Sequence, residues 1–433
     1  MRLLRAAVLC HVALVSTTSI VCADSALTIT QVVSATISTN GNLISAQQMA
    51  RADQFKAKSV GAWDDPMFMI GVNNVPTNFD FRMDPMTMTM FGLSQTIPLA
   101  GQKGLSSKAA HKSAESARAM AEMTAVELTF SARMAFHEFA YAQQMLREMR
   151  KQRSVYSDMA ETATNRFRIG LGGQEDVTSA QSAAFRFESQ IRKSEQEVTE
   201  AANELSALSG LAVDETAAVA LDSSVALPPS DSIWIAQAEA SYPELKKLSA
   251  QREASEFGAA SARRMRWPML TLSASYGVRR DGPATHGGTE KRDNMVSFGA
   301  GISLPIFAGK RDGNMAHSMQ LMGLSATAEL TQLQREISSE LKTLHAKATR
   351  LQQSIAGYEH DVIPASDQAY QGALASYKSG RLTLGELLMF AMPPIDDRIE
   401  LIQLRLDLAT TLDQVLMYTT NPADLLPAAN TEN

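Results

Sequence analysis

Methionine is the residue type in this chain that most invites a chemical reading. There are 23 of them, and Met67, Met69, Met83, Met86, Met88 and Met90 crowd one short segment. A thioether is a soft, uncharged donor that suits Cu(I) or Ag(I) and neglects hard ions. The same side chain is also flexible apolar filling, so the chemistry depends on which way each methionine faces. A second group is acidic. Glu175 and Asp176 follow Gly170, Gly172 and Gly173, and Glu386 follows Gly380. Acids placed just after a glycine turn sit in the first turn of a helix, where the dipole favours them. Repeated around a symmetry axis, they would form rings that attract cations. The histidines His111, His137, His286, His317, His345 and His360 show neither i, i+4 pairing nor zinc-site spacing. Phosphate loops, Gly-x-Ser-x-Gly elbows and His-Glu-x-x-His helices are missing from the sequence. The expectation is a protein that is not an enzyme and carries no cofactor.

The elements around these residues decide what they can do. Leu270, Leu272, Ala274, Tyr276 and Val278 alternate with Thr271, Ser273, Ser275 and Gly277. Val296, Phe298, Ala300, Ile302 and Leu304 alternate with Ser297, Gly299, Gly301 and Ser303. One apolar and one small polar face on strands of about ten residues is the pattern of a transmembrane barrel, lipid outside and water inside. The run Arg279 to Asp293 reads as an exposed turn. If Pro98 is equivalent to Pro305, Phe91 and Leu93 face lipid. Gly92, Ser94, Thr96, Met86, Met88 and Met90 then face the lumen. On the preceding strand Phe68, Ile70 and Val72 face out, and Met67 and Met69 face in. No stretch after the N-terminus reaches the roughly 20 apolar residues of a membrane helix, so any span must be made of strands.

These strands recur in a duplicated order. Pro66 pairs with Trp267-Pro268, Ile97-Pro98 with Leu304-Pro305, and Phe167-x-x-Gly170 with Tyr377-x-x-Gly380. The interval between partners is nearly constant and grows slowly along the chain, which argues for an ancestral repeat. The first repeat runs over 24–210: a helix, a strand hairpin at 66–98, and a long helical hairpin with its tip at 169–176. A linker follows at 211–232, rich in Ala, Pro and Ser. The second repeat runs over 233–418, with its strand hairpin at 268–307 and its tip at 379–386, and 419–433 forms a flexible tail. Ser106 to Arg168 is almost free of Gly and Pro and would be a helix of about 95 Å. Its return is Asp176 to Ser209, closed by Gly210. The second pair is Asn314 to Ser379 and Leu384 to Tyr418, the latter broken or kinked at Pro393-Pro394. Asp396 and Asp397 would then lie in a new first turn. Such antiparallel pairs are coiled-coil hairpins.

Composition agrees with that plan. Only 6% of the residues are aromatic, fewer than a globular core of this size uses. The net charge of −6 gives no reason to expect nucleic-acid binding. Residues 1–23 read as a signal peptide, with Arg2 and Arg5 before an apolar stretch and a small residue, Ala23, at the cleavage position. Both cysteines, Cys10 and Cys22, fall inside it. Lipidation of Cys22 is the alternative, disfavoured by bulky Val21 before it. Four strands cannot close a barrel, and open edges are not tolerated in lipid, so oligomerisation is expected. Three chains would give twelve strands.

Taken together, Arg166-Phe-Arg-Ile-Gly-Leu-Gly-Gly-Gln-Glu-Asp176, the matching Tyr377, Gly380 and Glu386, and Leu93-Ser-Gln-Thr-Ile-Pro-Leu-Ala-Gly101 resemble the TolC-type outer-membrane efflux family. The methionines point to its heavy-metal, CusC/CzcC-like branch. The resemblance covers nearly all of the chain after residue 24. It implies a mainly α fold with long periplasmic coiled-coil hairpins and four transmembrane strands, closing as a homotrimer. It also implies a passive exit duct in the outer membrane, docked to a periplasmic adaptor and an inner-membrane RND-type pump. In that family Phe167, Gly170, Glu175, Asp176, Tyr377, Gly380, Arg381, Glu386 and Met389 would stand at the periplasmic aperture. Two departures stand out: Leu382 occupies a position where the type member has Arg, with Arg381 just before it, and Met389 occupies an acid's position. Drug efflux or type I secretion through the same architecture is the alternative reading. A periplasmic coiled-coil structural protein is the alternative from another class.

Overall fold

The computed structural model describes residues 26–219, 227–284 and 286–425. The signal segment with Cys10 and Cys22, part of the linker and most of the tail lie outside the described residues. Internal packing divides the chain into two units.

Among the described residues, the first unit holds 26–40, 127–219, 227–231 and 343–417. It contains α1 (Ile29–Thr39), the C-terminal part of α3 (Gln102–Arg168) and all of α4 (Gln174–Ser209). Thr28 and Gln31 close a reciprocal capping box at the start of α1. Phe136, Phe139 and Leu146 of α3 pack against Phe187, Ile191, Val198 and Leu205 of α4. The α4 residues recur at helical spacing, and that is what seats one helix on the other. Tyr156 and Phe187 stack with ring centroids 4.6 Å apart. Gly210, at φ 71°, caps α4 as expected.

The long helix expected over Asn314 to Ser379 is not uniform. It runs as α7 (Ala308–Gly357), a π-helical turn over Tyr358–Val362, and α8 (Ile363–Lys378). Pro364 has no N–H to give and its ring crowds the carbonyl four residues earlier, so the ladder widens there. Ile363 N–H reaches back to Tyr358 O. The break at Pro393-Pro394 is present: α9 (Leu384–Ala391) gives way at Met392, and α10 (Pro393–Thr419) begins directly. Met392 keeps helical dihedrals, so the result is a break in hydrogen bonding rather than a loop.

One buried ionic group fastens α3 to α10. Arg133 Nε donates to Asp413 Oδ1 at 2.5 Å, and His137 Nε2 lies 3.1 Å from Oδ2. Asp413 is 1% exposed.

Among the described residues, the second unit holds 41–126, 232–284, 286–342 and 418–425. It contains α2 (Gly41–Val60), α5 (Asp231–Ser241), α6 (Pro243–Arg264) and the sheet. Small residues let its helices approach closely: Ser106 meets Ser261 at 2.7 Å, and Gly258 lies against Met319. The strands are β1 (Met67–Asn73), β2 (Met88–Pro98), β3 (Met269–Arg279) and, after a short ladder of β4 (Gly282–Pro283) with β5 (Thr289–Glu290), β6 (Met295–Ile302). β1, β2, β3 and β6 form one antiparallel sheet in that order. The β4–β5 ladder lies inside the run expected to be a plain turn. Among the described residues, no helix is long and apolar enough to cross a membrane.

Candidate functional site

The sheet register fixes the faces. Phe68, Leu93, Ala274 and Phe298 lie in one cross-strand row, and Ile70, Phe91, Tyr276 and Val296 in the next. Paired residues share a face in an antiparallel sheet. These apolar side chains are solvent-exposed, Phe298 at 83%. The opposite face carries Met67, Met69, Met88, Met90, Ser94, Ser273, Ser275, Ser297 and Gly299. Met269 and Met295 join it, which the sequence reading did not single out.

Neighbouring glycines make room for the thioethers. A Cβ at Gly277 would lie 2.6 Å from Met88 Sδ, and one at Gly92 would lie 3.7 Å from Met69 Cε. Asn73 Nδ2 donates to Met90 Sδ at 2.7 Å. Met86 does not belong to this face. It lies in the turn before β2, where its N–H bonds Asp84 Oδ1 at 2.7 Å and its carbonyl accepts from Asn74 Nδ2. Asp84-Pro85 turns the chain there and ends the alternation. Among the described residues, no group of three or more His, Cys, Asp or Glu could hold a metal ion.

The glycine tips lie in the first unit. Gly170 and Gly380 both have φ 74°. Each closes its helix identically: Gly170 N–H to Phe167 O and Leu171 N–H to Arg166 O, against Gly380 N–H to Tyr377 O and Arg381 N–H to Ser376 O. That double bond pattern is the Schellman motif, whose left-handed residue is best supplied by glycine.

The aromatic partners of the two tips part company. Phe167 is 48% exposed, beside exposed Ile169 and Leu171. Tyr377 is fully buried, among Met159, Ala163, Ala180, Leu384 and Leu387. Arg166 also contacts Tyr377. Its guanidinium donates to Tyr377 O, and also to Leu171 O at 2.9 Å, and it lies 4.6 Å from the Tyr377 ring centroid. Burial, with Asp176 nearby, pushes the Tyr377 hydroxyl above its usual range, although Arg166 opposes this. The local motif around Arg166 assigns that side chain no role. The signal was its asymmetry, since Ser376 stands at the matching place in the second tip.

The acids divide too. Glu386 closes a capping box with Thr383, accepting from its N–H and Oγ at 2.8 Å each. Those bonds hold its carboxyl below the usual range. Glu175 and Asp176 stand in the first turn of α4, whose cap Gly173 offers no side chain. Arg381 donates to Ser379 Oγ at 2.9 Å, and Leu382 packs into the tip core. Met389 is 73% exposed.

Solved structures carry the same fold. The chain resembles the outer-membrane channel OprN at TM-score 0.76 and 17% identity, over 90% of this chain and 89% of that one. It resembles VceC from Vibrio cholerae at TM-score 0.74 and 17% identity, over 91% and 96%. It resembles CusC, described for its transmembrane channel formation, at TM-score 0.74 and 15% identity, over 91% and 92%. No curated protein matches the chain in sequence. Residues 32–211 and 234–418 match the outer membrane efflux protein family, and the chain therefore belongs to it.

Proposed function

We propose that three copies of this chain close a duct through the outer membrane, fed by an inner-membrane RND-type pump through a periplasmic adaptor, and that its cargo is a soft heavy-metal cation. One observation carries the duct: a four-stranded sheet with an exposed apolar face and one open edge on each of β1 and β6. Unpaired edges in lipid cost several kcal/mol for each stranded backbone group, about the cost of burying an unbonded amide. Because the strand number is even, β6 of one copy beside β1 of the next keeps the antiparallel order. Twelve strands from three chains then close with the apolar face to lipid and the methionine face to the lumen.

The cargo reading rests on that methionine face. Lipid-facing methionine needs no explanation, whereas six thioethers facing water alongside serine and glycine support a soft-metal path. A duct must bind weakly, because cargo held tightly stops conduction. Replacing Met67, Met69, Met88, Met90, Met269 and Met295 by Leu keeps the apolar bulk. The expected result is loss of copper or silver resistance in cells, with oligomer assembly and detergent resistance unchanged. Full metal resistance in that variant rejects the cargo and leaves the duct standing. Recovery of the wild-type chain as a soluble monomer rejects the duct.

A further inference from the structure

At one end of the sheet, β1 and β3 begin while β2 and β6 end, and helices leave from it. Met269 and Ser303 tie the last rows together, N–H to Oγ at 2.8 Å and N–H to O at 3.0 Å. Just beyond lie Trp63, Trp267, Leu304, Ile306 and Phe307, exposed by 56% or more. Next to these come four exposed cations: Arg263, Arg264, Arg266 and Lys310. None has a carboxylate partner among the described residues, although Lys103–Asp64 and Arg311–Asp312 pair close by. Asp65, also nearby, has no ion pair among the described residues. The opposite end of the sheet also carries cations: Arg82 and Lys291 are exposed there, but its other three arginines are held internally. Arg279 donates to Asp293 O and Pro85 O, Arg292 to Arg82 O and Asp84 O, and Arg280 lies over Phe81.

We infer that the cations at the helix-bearing end form a collar for the phosphodiester headgroups of anionic phospholipid. Exposed tryptophan beside an apolar face marks the level of a bilayer interface. A guanidinium is a planar fork that grips phosphate oxygens with two hydrogen bonds. Charges held at that level and left without protein partners take theirs from an anionic leaflet. The inference rests on the duct reading, which puts the helices in the periplasm. The collar then meets the phospholipid leaflet, and the other end, where Arg279, Arg280 and Arg292 are held internally, meets the lipopolysaccharide leaflet.

Native mass spectrometry of the full oligomer tests this, after exposure in detergent to phosphatidylglycerol, phosphatidylcholine or lipid A. Wild type should retain phosphatidylglycerol over phosphatidylcholine, with the preference weakening in salt. The variant Arg263→Gln/Arg264→Gln/Arg266→Gln/Lys310→Gln should lose that preference, about fivefold in affinity for each cation removed. Arg279→Gln/Arg280→Gln should keep it, and so should replacement of the three collar arginines by Lys, in weakened form. Circular dichroism and the oligomer band on gels check that each variant is folded. Equal retention of the two phospholipids, undiminished retention by the four-site variant, or a preference for lipid A overturns the collar. A chain that inserts into vesicles without headgroup preference defeats the collar alone, whereas one that does not insert defeats the duct as well.

Discussion

The Arg166 guanidinium lies 4.6 Å from the Tyr377 ring centroid and bonds that residue's backbone carbonyl, joining the tip after α3 to the tip after α8. Both hairpin turns are thereby held by one side chain. Replacing Arg166 by Ala should cost about 2 kcal/mol, the worth of hydrogen bonds from a charged donor, and should raise conductance in planar bilayers as the tips part. Arg166→Lys should not restore the wild-type conductance, since an ammonium lacks the planar fork.

Tyr377 gives a separate test of what the buried ring contributes. Its hydroxyl has no hydrogen-bond partner among the described residues, though it is buried. Tyr377→Phe should therefore be neutral or stabilising in thermal unfolding. Tyr377→Ala should cost about 3–5 kcal/mol through the cavity left in the tip core.

Gly170 and Gly380 share a left-handed backbone, but nothing lies within 4 Å of a Cβ built at Gly170. The cost of Gly170→Ala is thus a backbone cost of about 1–2 kcal/mol, and Gly170→Val should cost more. Asn at either position should be tolerated better than Ala. Chemical denaturation of the set orders them, and adaptor crosslinking reports whether the tip shape matters for docking.

Asp413 is buried against Arg133 and His137. Asp413→Ala should cost about 3–5 kcal/mol, because it strands Arg133. Removing both partners together, as Arg133→Met/Asp413→Leu, should recover most of that loss. A double-mutant cycle read by thermal unfolding separates the pair from the packing.

Glu386 predicts an acid dependence. Its folded carboxyl sits below the usual range of about 4.3. A lowered pKa contributes stability that is fully present above the unfolded value and lost as pH falls through the folded one. Amide exchange at the start of α9 should speed up below about pH 4 in wild type. Glu386→Gln can still accept from Thr383, so it should flatten that dependence.

Much of the fold was legible because it is decided locally. A long stretch without Gly or Pro could only be α3, and Gly210 ends α4 because few other residues adopt its φ. Strand alternation carried the faces, since a one-residue slip would exchange them all. The same logic failed at Met86, where Asp84-Pro85 turns the chain before alternation begins, and at Pro364, whose missing N–H widened a helix that composition called continuous.

The tips show where local information stops. Phe167 and Tyr377 occupy equivalent places before equivalent glycines, so the sequence by itself determined both turns. That Tyr377 is buried and Phe167 exposed was decided only in the tertiary structure. So was the partner of Arg166, and so was the role of Glu386, a helix cap rather than a free charge. Turn geometry depends on a few neighbouring dihedrals. Burial depends instead on which distant helix arrives beside the side chain, and α3 meets α8 only once the chain has folded.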